Sequence, residues 1–256
     1  MANHSIFRFS ADRLPVAIIL SFSLLDFFAF FRMESKVLLA TYWLIMIVPK
    51  GLICAWNHHH QHRNVFIQKS LNRVLEFFYA LHTGVTTNLW LLHHNLGHHK
   101  NYLDQTKDQS RWKRKDGSTM GMIEYSIIVT LTAYQRGFQV GKDHPKQQKQ
   151  FLFFSGMTFF IIAGLTLYSP ASALFIIILP MISSLLFTSW TTYDHHAGLD
   201  TQDEFAASHN KTSRLYNILT GNLGYHTAHH YKQGVHWSKL PEIHEQIKHK
   251  IIPATA

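Results

Sequence analysis

The sequence predicts an all-α integral membrane protein, with four transmembrane helices in two hairpins and a helical cytoplasmic cap that carries clusters of histidine. Three observations predict it. Apolar residues, 46% of the 256, gather into four runs of about the length that crosses a bilayer. All but three of the 24 Lys and Arg residues fall on one side of the topology those runs define. Every one of the 20 histidines lies on that same side, most of them in short motifs.

The first run, residues 14–31, reads LPVAIILSFSLLDFFAFF, with Asp26 as its only charge. No small-residue cleavage site follows it, so it reads as a retained helix rather than a signal peptide. The second, 37–54, is VLLATYWLIMIVPKGLIC, with Pro49 and Lys50 near its end. The third and fourth are 151–168, FLFFSGMTFFIIAGLTLY, and 171–190, ASALFIIILPMISSLLFTSW. The connections RMESK and SP are too short for anything but hairpins. The cap is then 55–150 together with 191–256, and the whole chain 1–256 reads as a single domain. Within the cap, 71–92 and 125–141 are apolar with polar interruptions. Both read as helices lying at or dipping into the interface.

The formal charge of +9 would suit a nucleic-acid binder if it were spread over a soluble surface. Here Arg32 and Lys36 sit in the first opposite turn and Lys50 near the home-side end of the second run, while the remainder share one side. That asymmetry marks the cytoplasmic face and can also hold the cap against anionic lipid, so no nucleic-acid partner is needed. The one cysteine, Cys54, excludes a disulfide framework and any cysteine-built zinc or iron–sulfur site. A metal would have to be held by imidazole, with carboxylate as the only supplement.

Side chains three or four residues apart share a helix face. In NHHHQH that spacing selects His58 and His62 and leaves His59 and His60 on other faces. In HHNLGHH, His94 and His98 are four apart and His99 is turned about 100° from its neighbour. In YHTAHH, His226, His229 and His230 stand at i, i+3 and i+4. YDHHAGL, just beyond the fourth run, adds His195 or His196. His4, His82, His144, His209, His244 and His249 are expected to be solvated. About nine imidazoles exceed the four ligands of a tetrahedral zinc. They suit two metals of higher coordination number, and iron accepts imidazole readily. Two nitrogen-held irons with open positions would activate oxygen toward an apolar substrate.

The ordered motifs HHHQH, HHNLGHH, HHAGL and NLGYHTAHH followed by HWSKLP resemble the membrane-bound fatty acid desaturase and hydroxylase superfamily, over roughly residues 45–245. The resemblance implies a non-haem di-iron centre of two Fe ions with O2 as co-substrate. Its ligands would be His58 and His62 from the first box, His94, His98 and His99 from the second, and His226, His229 and His230 from the third. It selects His196 from HAGL, with His195 as the fallback. Where some members carry an asparagine four residues before that histidine, this chain has Thr192. The three-residue spacer in the second box is shared with membrane alkane hydroxylases. The implied activity is an acyl-lipid desaturase, with an alkyl, lipid or carotenoid hydroxylase on the same scaffold as the alternative.

Asp194 is the first candidate to orient an imidazole from behind, followed by Glu124, Asp200 and Asp203. The implied substrate is a membrane lipid or acyl chain. The chain contains no dinucleotide fingerprint, cluster cysteines or haem domain, so electrons would come from a separate ferredoxin-like or haem-protein donor, docking on the basic stretch 107–117. A chain without a fused donor points to a bacterial inner membrane. A metal transporter would place acids or histidines within the spans, where only Asp26 and Lys50 occur. A haem carrier would need only one axial pair, usually facing across spans.

Overall fold

A computed structural model describes residues 5–252; His4 lies outside them. Among the described residues the secondary structure is helical, with no strand beyond two isolated bridges. Four helices are long and apolar enough to cross a membrane: α1 (Arg13–Arg32), α2 (Lys36–His62), α5 (Pro145–Tyr168) and α6 (Pro170–His196). Between and after them come α3 (Lys69–Thr83), α4 (Met122–Gly141), α7 (Arg214–Thr220), α8 (His226–Tyr231) and α9 (Leu240–Ile247).

The four long helices leave large apolar side chains uncovered, among them Leu24, Phe27, Ile45, Phe160 and Leu167. That surface suits lipid and would be a liability in water. Several of their hydroxyls are satisfied internally: Ser21, Ser23, Thr41 and Thr166 each donate to the carbonyl four residues earlier. In hydrocarbon no water is available to do this. Both α2 and α6 run 27 residues, about 40 Å at 1.5 Å per residue, against a hydrocarbon core of about 30 Å. The expected spans end at 54 and 190, yet the helices continue to His62 and His196. The first box and the HH pair of HAGL therefore ride on the last turns of long apolar helices instead of on separate cap elements.

The single interfacial helix expected over 71–92 is broken. Gly84 takes the left-handed conformation that ends α3, with φ 70°, and a Cβ there would stand 3.0 Å from the Met181 carbonyl. The helix expected over 125–141 is present as α4.

The chain forms two compact units, each assembled from three stretches. The first comprises 1–60, 64–87 and 149–185. Ala29, Phe30, Leu39, Ile162, Ile176 and Met181 form one of its apolar cores, and Val16, Ile19, Ile53, Leu75 and Tyr79 the other. Between them lies a polar knot. The Lys50 ammonium, fully buried, stands 2.8 Å from the Asp26 carboxylate and donates to the Ile176 carbonyl at 3.0 Å. That carbonyl belongs to a π-helical turn, Ala173–Ile178, where the widened helix loosens its own ladder. Tyr42 donates to Asp26 at 2.8 Å, and His82 lies 3.2 Å from the same carboxylate. His82, expected to be solvated, is buried. Its partners, Asp26 and Ser23, come from α1, too distant in sequence for spacing to indicate them.

The second unit comprises 61–63, 88–148 and 186–256. Trp112, Met120, Tyr125 and Val129 form one core, and Ala228, Ile243 and Ile247 another.

Asp26→Asn should strand the Lys50 charge and lower stability by about 3–5 kcal/mol, the usual result of breaking a buried pair. Asp26→Asn combined with Lys50→Met should recover most of that loss. Thermal unfolding in detergent compares them, and a double variant no more stable than the single one would contradict the pairing.

Candidate metal centre

The second box does not fold as a regular α-helix. Leu91–Leu96 is a π-helical segment, and the amide of His99 donates to the carbonyl of His94 at 2.9 Å, an i to i+5 bond. A wider turn brings residues five apart onto one face, so His94 and His99 come together and His98 points elsewhere. The His99 Nε2 lies 2.9 Å from the Nε2 of His94 and 3.0 Å from that of His229. The His62 ring packs against all three, with centroids 5.2, 4.7 and 4.6 Å away. It is held there in part by Asn95, whose side-chain amide donates to the Gln61 carbonyl at 3.0 Å.

His98 joins a second group with His196 and His230. The Nε2 of His196 is 3.2 Å from that of His98, 3.1 Å from that of His230 and 3.0 Å from that of His226. The outer nitrogens explain the orientation. His196 Nδ1 faces the Ala207 carbonyl at 3.0 Å and His98 Nδ1 faces the Asp108 carboxylate at 2.8 Å. A carbonyl and a carboxylate can only accept, so each Nδ1 carries a proton and each ring turns its Nε2 inward, the nitrogen left to ligate a cation. Metal–imidazole bonds of about 2.0–2.1 Å place two ligand nitrogens about 3 Å apart when they subtend a right angle. The donor set and its spacing therefore fit a metal.

The third box supplies both groups from one short helix, α8. His229 goes to the first and His230 to the second, while His226 sits against His196. The loop before α7 fixes α8: Asn210 accepts from the Thr227 amide at 3.0 Å and donates to its hydroxyl at 2.7 Å, and Ser208 bonds the same hydroxyl. Gly224, just ahead of the box, is required by a close approach. A Cβ there would fall 2.0 Å from the Lys211 carbonyl, where the two backbones exchange a hydrogen bond.

The family model described as Fatty acid desaturase matches residues 35–254, a stretch that takes in all of these histidines. The chain belongs to the fatty acid desaturase family. No curated protein and no solved structure matches it. Of the two adjacent histidines in this desaturase-family chain, His196 enters the cluster and His195 does not. The His195 Nδ1 is spent on the His209 carbonyl at 2.9 Å and its Nε2 lies 3.2 Å from the Tyr216 hydroxyl, so both nitrogens have partners outside the groups. Its ring stacks on that of His226, centroids 4.0 Å apart. His58 is buried on α2, one turn before His62. His60, by contrast, turns to Glu76 at 3.3 Å.

The expected carboxylates do not stand behind the imidazoles. Asp194 is exposed and pairs with Lys211, Glu124 pairs with Arg114, Asp200 pairs with Lys113, and Asp203 accepts from the Phe205 amide. Asp108, 1% exposed, is the carboxylate that meets a histidine of the two groups, His98, and it also accepts from the Ser110 amide at 2.7 Å. It lies ten residues after His98, beyond any helical spacing, in a stretch that reads from sequence as a basic loop. Thr192 donates to the Thr188 carbonyl. Tyr102 is a further neighbour that no motif indicated. Its ring lies 4.3 Å from that of His230, and burial, then the nearby Glu204 and Asp203 charges, pushes its phenol up to about 12.

Burial, followed by the neighbouring imidazoles, holds His230 well below the ordinary histidine range. Burial, then Arg136, pushes His93 down to about 3. Both rings are therefore neutral when folded, whereas the unfolded chain protonates them near pH 6.5. Their contribution to stability is present above that pH and lost as pH falls below it. The metal-free protein should show a constant melting temperature above about pH 7 and a falling one from about pH 6.5 to 4. A flat profile would contradict neutral burial. Asp108→Asn should weaken metal binding about 10–100-fold, the usual effect of losing a partner behind a ligand, while Asp194→Asn should leave it unchanged. Equilibrium dialysis against a defined metal buffer reads both, and equal effects would return Asp194 to the role.

Proposed function

We propose that this chain is an O2-dependent, di-iron acyl-lipid desaturase. One iron would be held by His58, His62, His94, His99 and His229, the other by His98, His196 and His230 with His226 beside them. The observation that carries the reading is the division of the imidazoles into two groups of converging nitrogens, within a chain whose family is established. His58 enters because it stands at i, i+4 to His62 on α2. Nine nitrogens without a thiolate suit iron.

When bound, the irons supply reductive activation of dioxygen toward an unactivated C–H bond. The chain's own residues do the rest. The Ala207 carbonyl and Asp108 hold the ring orientations of His196 and His98, the His209 carbonyl keeps the unused His195 aside, and burial of the imidazoles excludes water from the centre. The balanced reaction converts a CH2–CH2 segment, O2, two electrons and two protons into a CH=CH segment and two waters. Hydroxylation of an alkyl chain is the alternative, favoured by the three-residue spacer in the second box. It consumes the same oxygen and electrons and yields an alcohol and one water.

The excess of Lys and Arg beside the histidine boxes supports a cytoplasmic active site, with the four long helices as spans arranged in two hairpins, the first box and the HH pair of HAGL at the ends of two of them, and the second and third boxes in a helical cap. The electrons would come from a separate ferredoxin-like or haem-protein donor, with a bacterial inner membrane as the compartment. The basic stretch 107–117 is a weaker docking surface than its composition suggests, because Lys107, Lys113 and Arg114 are paired with Asp104, Asp200 and Glu124.

Membranes from cells expressing the protein with a reducing partner should accumulate a lipid two mass units lighter than its precursor. The His98→Ala variant should accumulate none. Lipid mass spectrometry reads the outcome. A product sixteen mass units heavier would replace desaturation with hydroxylation, and an unchanged lipid profile under aerobic, reducing conditions would overturn both.

A further inference from the structure

The first unit contains a cavity of about 580 Å³, within the roughly 300–1,000 Å³ usual for small-molecule sites. Its walls are almost wholly apolar, with Leu24 and Phe27 from α1, Phe78 from α3 and Leu165 from α5 among them. Three polar residues, Ser23, Asp26 and His82, share one corner. None of the lining residues belongs to the two histidine groups.

The corner has a definite polarity. An ionised carboxylate offers about four acceptor positions. On Asp26, Tyr42 occupies one and Lys50 a second, while His82 lies 3.2 Å away without a hydrogen bond to it. Acceptor capacity remains, and the Asp26 side chain keeps 15% of its surface exposed while lining the cavity. The balancing cation does not reach it: the Lys50 side chain is 0% exposed. The other His82 nitrogen is taken by Ser23 at 2.9 Å, whose hydroxyl also donates to the Ile19 carbonyl. A ligand therefore meets a single anionic acceptor at the end of an apolar chamber. A fatty-acid carboxylate or a lipid phosphate would be repelled there, and a plain hydrocarbon would leave the acceptor unmet. A hydroxyl satisfies it with one charge-assisted hydrogen bond.

We propose that the first unit binds an uncharged aliphatic lipid through a terminal hydroxyl, the chain lying among the phenyl rings and the hydroxyl donating to Asp26. This site is separate from the proposed di-iron centre and stands whether or not that centre desaturates lipid.

The test uses the full-length protein in detergent with a photoactivatable hexadecanol, mapping the labelled peptides by mass spectrometry. Label should fall on α1 and α3. Unlabelled hexadecanol should displace it at about tenfold lower concentration than hexadecane or hexadecanoate, the effect of one hydrogen bond to a charged group. Leu24→Trp, which fills the chamber and leaves the ionic knot intact, should abolish labelling. In the Asp26→Asn/Lys50→Met variant the preference for alcohol over carboxylate should shrink toward unity. Equal displacement by all three competitors in the unaltered protein overturns the proposal, since that comparison needs no variant to fold. Labelling elsewhere, or labelling that survives Leu24→Trp, does the same. Metal content measured alongside distinguishes a failure of this site from a failure of the iron centre.

Discussion

An imidazole whose outer nitrogen is pinned by an acceptor must turn its other nitrogen inward, and the His98–His196 contact in the second unit is organised around that constraint. The carbonyls of Ala207 and His209 and the carboxylate of Asp108 fix three rings from behind. For His98 and His196 the consequence is two Nε2 atoms turned toward each other 3.2 Å apart, an arrangement that suits a shared cation. The loop at 207–210 does double duty, since it also holds α8 by way of Thr227, so the fourth and third histidine motifs are positioned by one short segment.

A local change of helical period converts one motif into ligands for two groups. Along a regular α-helix His94 and His98 would share a face, and the second box would serve one site. The π turn at Leu91–Leu96 pairs His94 with His99 instead and releases His98 toward His196. A second π turn, at Ala173–Ile178, works in the first unit, where it leaves the Ile176 carbonyl to Lys50. Both deviations sit where polar chemistry is concentrated, in keeping with the usual placement of π-bulges at functional sites.

The fold class was legible because the placement of the apolar residues determines it: apolar runs of bilayer length admit little else. That the box histidines would gather was legible too, because His226, His229 and His230 crowd one helical turn and the other boxes repeat the theme. Their partition between the groups was not, since the π turn leaves no mark in LLHHNL that periodicity can read. Asp108 was missed and His82 misjudged for a related reason. Their partners, His98 across an irregular loop and Asp26 across two helices, become neighbours only when the chain is folded. Asp194 looked suitable because it adjoins His195 in sequence, but adjacency on a helix turns its side chain away to Lys211.

The central claim is that the histidines form two metal sites that share the second and third boxes. Elemental analysis of the purified, iron-reconstituted protein beside the His98→Ala and His99→Ala variants tests it most directly. The account predicts two irons per chain, falling to about one in either variant because each residue serves a different group. A single metal per chain, or a content that neither substitution changes, would contradict it.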